Sequence, residues 1–140
     1  MLSKSCEYAL RAVFYITVNA KDGKNVGIKE ISEELDMPAP FLAKIMQSLA
    51  KNKIVNSIKG PNGGFFIKNP KKISLIDIVE SIDGTEFFHR CTMGLKKCSN
   101  VKPCPIHNQM KGYRDELKTV LSQKTLDQVM AELESNKSFI

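Results

Sequence analysis

The stretch from Ile28 to Ile67, IKEISEELDMPAPFLAKIMQSLAKNKIVNSIKGPNGGFFI, decides the fold. Its opening places Ile28, Ile31 and Leu35 on one helical face, and Asp36-Met37-Pro38 then interrupts the period. A second helical run spans about Ala39 to Asn52, with Leu42, Ile45, Met46 and Leu49 turned inward. Its opposite face carries Pro40, Ala43, Lys44, Gln47, Ser48 and Lys51, which are small, polar or basic. Two short helices joined by a tight turn form a helix-turn-helix. Residues 54–58 then have strand propensity, residues 59–64 form a turn, and residues 65–67 return as a second strand. A hairpin placed directly after the second helix of such a pair is a wing. The glycines at positions 60, 63 and 64 permit positive φ angles and keep its tip narrow.

Working outward, residues 3–20 lack Gly and Pro and place Leu10, Val13, Phe14, Thr17 and Val18 near a helical period. Asp22-Gly23-Lys24-Asn25 makes the turn into the core motif. Beyond it, Ser74 with Asp77 forms a capping box, and Ile73 with Ile78 a hydrophobic staple. That helix ends at Asp83-Gly84. Pro105 suits the first position of a long helix, which puts Cys104 at its N-cap. The long helix carries Met110, Tyr113, Leu117 and Val120 as an apolar seam that suits pairing with another helix. Thr125 and Gln128 cap a last short helix. The predicted class is mainly α with a small β-hairpin wing. A winged helix-turn-helix fills residues 1–84, and a cysteine loop with dimerisation helices fills residues 85–140.

Charge agrees with that division. Residues 1–72 hold 12 Lys and Arg against 6 Asp and Glu, whereas residues 73–140 hold 9 against 9. The net +6 of the chain therefore lies in the half that carries the helix-turn-helix, where a polyanion would bind. No run approaches 18 apolar residues, which argues against a membrane span. The first residues carry no basic segment followed by a long apolar run, so a cytoplasmic location is expected.

Three of the four cysteines, Cys91, Cys98 and Cys104, fall on one loop rich in Gly, Lys, Ser, Asn and Pro, and His107 follows one helical turn later. Such a loop packs poorly, and thiolates are soft ligands for iron–sulfur clusters or zinc. Six residues separate Cys91 from Cys98, and five separate Cys98 from Cys104. That is wider than the usual spacing in zinc knuckles. Zinc or an unmetallated redox thiol site stays open on spacing alone, as does a thiol enzyme using a cysteine beside His107. Against the enzyme, the chain offers no second catalytic motif. Cys6 is a further soft candidate, although a lone helical cysteine is more often a small buried hydrophobe.

Glu7-Tyr8-Ala9-Leu10-Arg11, the wing Gly60-Pro61-Asn62-Gly63-Gly64-Phe65 and the three-cysteine loop occur in the order seen in one known family. The chain resembles the IscR- and NsrR-type winged-helix transcription regulators of the Rrf-two family over about residues 1–135. The resemblance implies a homodimer on a palindromic double-stranded DNA operator, acting as a repressor and carrying an iron–sulfur cluster in each subunit. It makes Cys91, Cys98 and Cys104 the cysteine ligands. The IscR-type arrangement points to His107 as the fourth, and the NsrR type to Glu7 from the partner subunit. A 2Fe–2S cluster is the preferred form, with 4Fe–4S as the alternative. The expected DNA contacts are Lys29, Ala39, Pro40, Phe41, Lys44, Lys59 and Asn62. IscR-type proteins often carry an acidic residue where this chain has Ala43, so the resemblance does not fix the operator sequence.

Overall fold

In the computed structural model, which describes residues 2–136, six α-helices are accompanied by a two-stranded wing. Helix α1 spans Lys4–Asn19, α2 Ile28–Glu34 and α3 Ala39–Lys51. Strands β1, Asn56–Ile58, and β2, Gly64–Phe66, pair antiparallel with Ser57 opposite Phe65. Helix α4 covers Leu75–Asp83, α5 His107–Gln123 and α6 Leu126–Glu134. The mainly α winged-helix class read from the sequence is the one observed.

Each boundary has a local cause. Ser3 caps α1 by accepting the Cys6 N–H at 3.0 Å. The Ser74 N–H donates to Asp77 at 2.8 Å and the Thr125 N–H to Gln128 at 3.0 Å, so both predicted capping boxes form. Residues 54 and 55 were expected in the first wing strand, but both are buried in the core instead. The reason is the exit from α3: Lys53 turns left-handed at φ 60°, and Ile54 donates its N–H back to the Leu49 carbonyl at 2.9 Å. Their backbone is engaged with the helix, and pairing waits until Asn56.

The long helix also starts later than expected. Ile106, not Cys104, occupies the N-cap, and the His107 N–H closes a tight turn onto the Cys104 carbonyl at 3.0 Å. The α-helical ladder begins only with Met110 donating to Ile106. Cys104 therefore stands in the loop between Pro103 and Pro105, rather than at the helix terminus.

Two apolar clusters hold the molecule. The larger joins Ala9, Val13 and Ile16 of α1 to Ile31 of α2, to Leu42, Met46 and Leu49 of α3, and to Ile78 and Leu126. Burying large aliphatic side chains of this kind contributes about 1.5–3 kcal/mol each before chain entropy is charged against it. The smaller packs Cys6, Ile76, Val79, Phe88 and Leu121, with Leu2 and Leu117 against it. It ties the start of α1 to α4, to α5 and to the segment leading into the cysteine loop.

Candidate functional site

The nucleic-acid face is built from α3 and the wing. The inward residues of α3 are buried, which turns Ala39, Pro40, Lys44 and Gln47 to solvent. The wing has a third participant that periodicity did not show. Val26, ahead of α2, exchanges backbone hydrogen bonds with Phe65 at 2.9 and 2.8 Å, anchoring the hairpin to the helix pair. Gly64 sits at φ +144°, and a Cβ there would meet the Val26 carbonyl oxygen at 2.8 Å. At Gly63 a Cβ would lie 2.0 Å from the Ile58 carbonyl oxygen. Only glycine fits this close a turn. Lys59 is exposed at the tip, and the Asn62 carbonyl accepts from Asn25 at 3.4 Å.

Two of the expected DNA contacts also have partners inside the chain. Phe41 is 37% exposed and meets the Tyr8 ring edge-on at 5.6 Å between centroids. Lys29 lies on the open face of α2, 3.9 Å from Glu33. An exposed i,i+4 pair of this kind contributes little stability and leaves the ammonium accessible.

The cysteine loop lies against α5. His107 is buried, and its two ring nitrogens have different partners: Nδ1 is 3.4 Å from the Cys98 sulfur, and Nε2 is 2.7 Å from Oδ1 of Asn100. Cys91 is buried and Cys104 partly so. The Cys91 thiol is held below its usual pKa. Backbone N–H groups of Leu95 and then Met93 are the main causes, Cys104 and the Arg114 charge add to them, and burial opposes. All four cysteines are free thiols.

Of the four ligand candidates of the loop, Cys98 and His107 are in direct contact, and Cys104 is close enough to Cys91 to help lower the pKa of its thiol. Among the described residues, no three His, Cys, Asp or Glu side chains converge on one point at metal-binding spacing. The donor set nonetheless suits an iron–sulfur group, with soft sulfurs, backbone N–H donors to one of them, and an imidazole whose second nitrogen is already engaged. Glu7 is placed differently: its carboxylate pairs with Lys4 at 3.0 Å on an exposed part of α1. Cys6 is fully buried, and burial first, then the charges of Asp83 and Glu7, push its thiol up to about 12. It packs as a small hydrophobe.

Sequence reading missed Arg114 and Asn100. Arg114 stands seven residues after His107, two turns along the same helix, and Asn100 lies two residues after Cys98. Those spacings were the available signal. The guanidinium of Arg114 reaches the loop, donating from Nη2 to the Cys98 sulfur at 3.4 Å and from Nη1 to the Arg90 carbonyl at 3.1 Å.

A helix-turn-helix with a glycine-tight wing defines a winged-helix DNA-binding regulator, and comparison with known proteins agrees. A protein of Aquifex aeolicus named as an HTH-type transcriptional regulator is 33% identical over 129 residues, covering 90% of this chain and 88% of that one. The transcriptional regulator IscR of Pectobacterium atrosepticum is 27% identical over 140 residues, covering 99% and 82%. Among solved structures, IscR of T. potens superposes with a TM-score of 0.76 at 19% identity, covering 100% of this chain and 93% of that one. CymR of B. subtilis, described as a global cysteine regulator, gives 0.76 at 19%, covering 94% and 96%. The sequence profile of Rrf2, described as an iron-dependent transcriptional regulator, matches residues 2–132. This chain belongs to the Rrf2 family: it is a DNA-binding transcriptional regulator and not an enzyme. Among the described residues, no helix is long and apolar enough to cross a membrane.

Proposed function

We propose that this chain works in the cytoplasm as a homodimeric repressor whose hold on a palindromic operator depends on an iron–sulfur cluster. The proposed ligands are Cys91, Cys98, Cys104 and His107, and the observation that carries the proposal is the cysteine loop lying against α5, with the Cys98 sulfur on His107 and Arg114. Asn100 on the far nitrogen of His107 supports an imidazole as the fourth ligand, because metal-bound histidines usually donate their other N–H to such a partner. Glu7 of a second subunit is the alternative ligand. A 2Fe–2S form is favoured over 4Fe–4S, and zinc is the alternative metal. When bound, the group supplies a centre whose charge and ligation respond to iron supply, oxidants or nitric oxide.

The chain's own residues connect that loop to the DNA face. Phe88, three residues before Cys91, lies in one apolar cluster with Cys6 of α1 and Leu121 of α5. Movement of the loop therefore bears on the helix that also packs against α3. For regulation, the two loop arrangements must differ in their affinity for DNA. In this reading residues 1–84 read DNA and residues 85–140 sense and pair, a division of labour across a shared core. The contact set is Lys29, Ala39, Pro40, Phe41, Lys44, Lys59 and Asn62.

Pairing is supported by α5. Tyr113 is 67% exposed and Val120 57%, and with Met110 and Leu117 they line a largely apolar groove of about 770 Å³. Exposed apolar side chains aligned along one face of a helix suit pairing with another helix. A second copy is the proposed occupant, since two recognition helices are needed for two half-sites.

The decisive measurement is the visible spectrum, iron and sulfide content of anaerobically purified protein. It is paired with fluorescence anisotropy on duplexes selected from a random library, before and after chelation. A coloured protein whose operator affinity changes on chelation is expected. A colourless protein with unchanged affinity would remove the cluster from the mechanism. The lowered pKa of the Cys91 thiol, to which Cys104 contributes, favours one second reading, a metal-free thiol switch in which an oxidant joins those two sulfurs. A colourless protein with oxidant-dependent affinity would select it.

A further inference from the structure

Arg114 has three hydrogen bonds that a surface arginine on a solvated helix would lack. Nη1 donates to the Arg90 carbonyl at 3.1 Å and to the Thr92 hydroxyl at 3.4 Å, and these two residues flank Cys91. Nη2 donates to the Cys98 sulfur at 3.4 Å. One fixed side chain thus holds both arms of a loop that has little apolar packing of its own. Its Nε is buried and has no hydrogen-bond partner among the described residues. A buried guanidinium N–H without an acceptor is costly. The planar fork of arginine suits simultaneous donation in two directions, which a lysine ammonium on its flexible stem does not reproduce.

We propose that Arg114 is the positioning residue of the cysteine loop. It pins the Cys91 and Cys98 arms to α5 before any metal arrives, and it contributes a fixed positive charge beside the sulfur ligands once the site is loaded. The second half rests on the cluster reading above; the first does not. A cation next to a cluster favours the more negative, reduced state and raises its potential.

The test uses the full chain with Arg114→Gln, which removes the charge, and Arg114→Lys, which keeps the charge but not the fork. In metal-free protein, the readout is cleavage by an endoproteinase specific for lysine at Lys96 and Lys97, both exposed on the loop. Both variants should be cut several-fold faster there than the wild type, with unchanged far-ultraviolet dichroism. Wild-type rates in both variants would overturn the clamp. In loaded protein, the readout is the midpoint potential. Arg114→Gln should shift it downward, and Arg114→Lys should stay near the wild-type value. An unshifted potential in Arg114→Gln would overturn the electrostatic half. A wild-type protein that takes up no iron and sulfide would defeat the cluster reading, while the cleavage comparison would still decide the clamp.

Discussion

The sulfur of Cys98 lies 3.4 Å from Nδ1 of His107, whose opposite nitrogen, Nε2, lies 2.7 Å from Oδ1 of Asn100. Asn100 therefore engages the ring nitrogen opposite the thiol contact and fixes the ring orientation in which Nδ1 faces Cys98. Asn100→Ala should loosen that arrangement without touching a ligand. Losing such a partner typically costs 10–100-fold in metal affinity, so cluster loss to a chelator should accelerate by roughly tenfold or more. An unchanged rate of bleaching would show that Asn100 does not orient the ring.

The fourth ligand is separable by substitution. His107→Cys should keep the cluster and lower its potential, because a thiolate adds negative charge where an imidazole had none. Glu7→Ala should leave the spectrum intact. The reverse pattern, with Glu7→Ala colourless and His107→Ala unaffected, would move the ligand to α1 of a partner subunit.

Each loop cysteine should be indispensable for the chromophore. Single Cys91→Ala, Cys98→Ala and Cys104→Ala proteins should lose visible absorption while keeping helical dichroism, since the main apolar cluster contains none of these residues. Full iron and sulfide in Cys98→Ala would refute the ligand set. Cys6 should behave oppositely in metal-free protein. With its thiol pushed up to about 12, it stays protonated and should resist iodoacetamide at pH near 8, while Cys98 and Cys104 react. The sign for stability follows. The folded state holds this proton more tightly than the unfolded chain, so the contribution is complete below pH about 9 and is lost as pH rises toward about 12.

On the DNA face, Lys59→Ala should weaken operator binding and reduce the salt slope by about one phosphate contact. Titrations at several salt concentrations measure this, and an unchanged slope would take Lys59 out of the contact set. Gly64→Ala tests the wing from another side. At φ +144° against the Val26 carbonyl, a methyl group should cost roughly 1–3 kcal/mol, read as a lower Tm, together with weakened DNA binding.

Pairing through α5 predicts that Val120→Glu raises the dimer Kd at least about tenfold, equivalent to about 1.4 kcal/mol. Sedimentation against concentration measures the change. A dimer as tight as the wild type would place the interface elsewhere.

The sequence by itself determined the elements and the fold class. Apolar residues recur every three or four positions in α1 to α4, both capping boxes are local, and the glycines of the wing are demanded by backbone geometry within a few residues. It also displayed the three cysteines and His107 as a group. What it left open depended on contacts between segments distant in the chain. Val26 joins the wing through backbone groups, which carry no side-chain signature. Ile54 and Val55 have strand propensity but stay in the core, because the left-handed exit at Lys53 commits their amides to α3. Arg114 looks like one more cation on a polar helix until the fold brings the Arg90 carbonyl and the Cys98 sulfur within its reach. Periodicity records which face of a helix is apolar; only the packed chain decides which donors and acceptors meet, because those distances are set by the whole core rather than by neighbours in sequence.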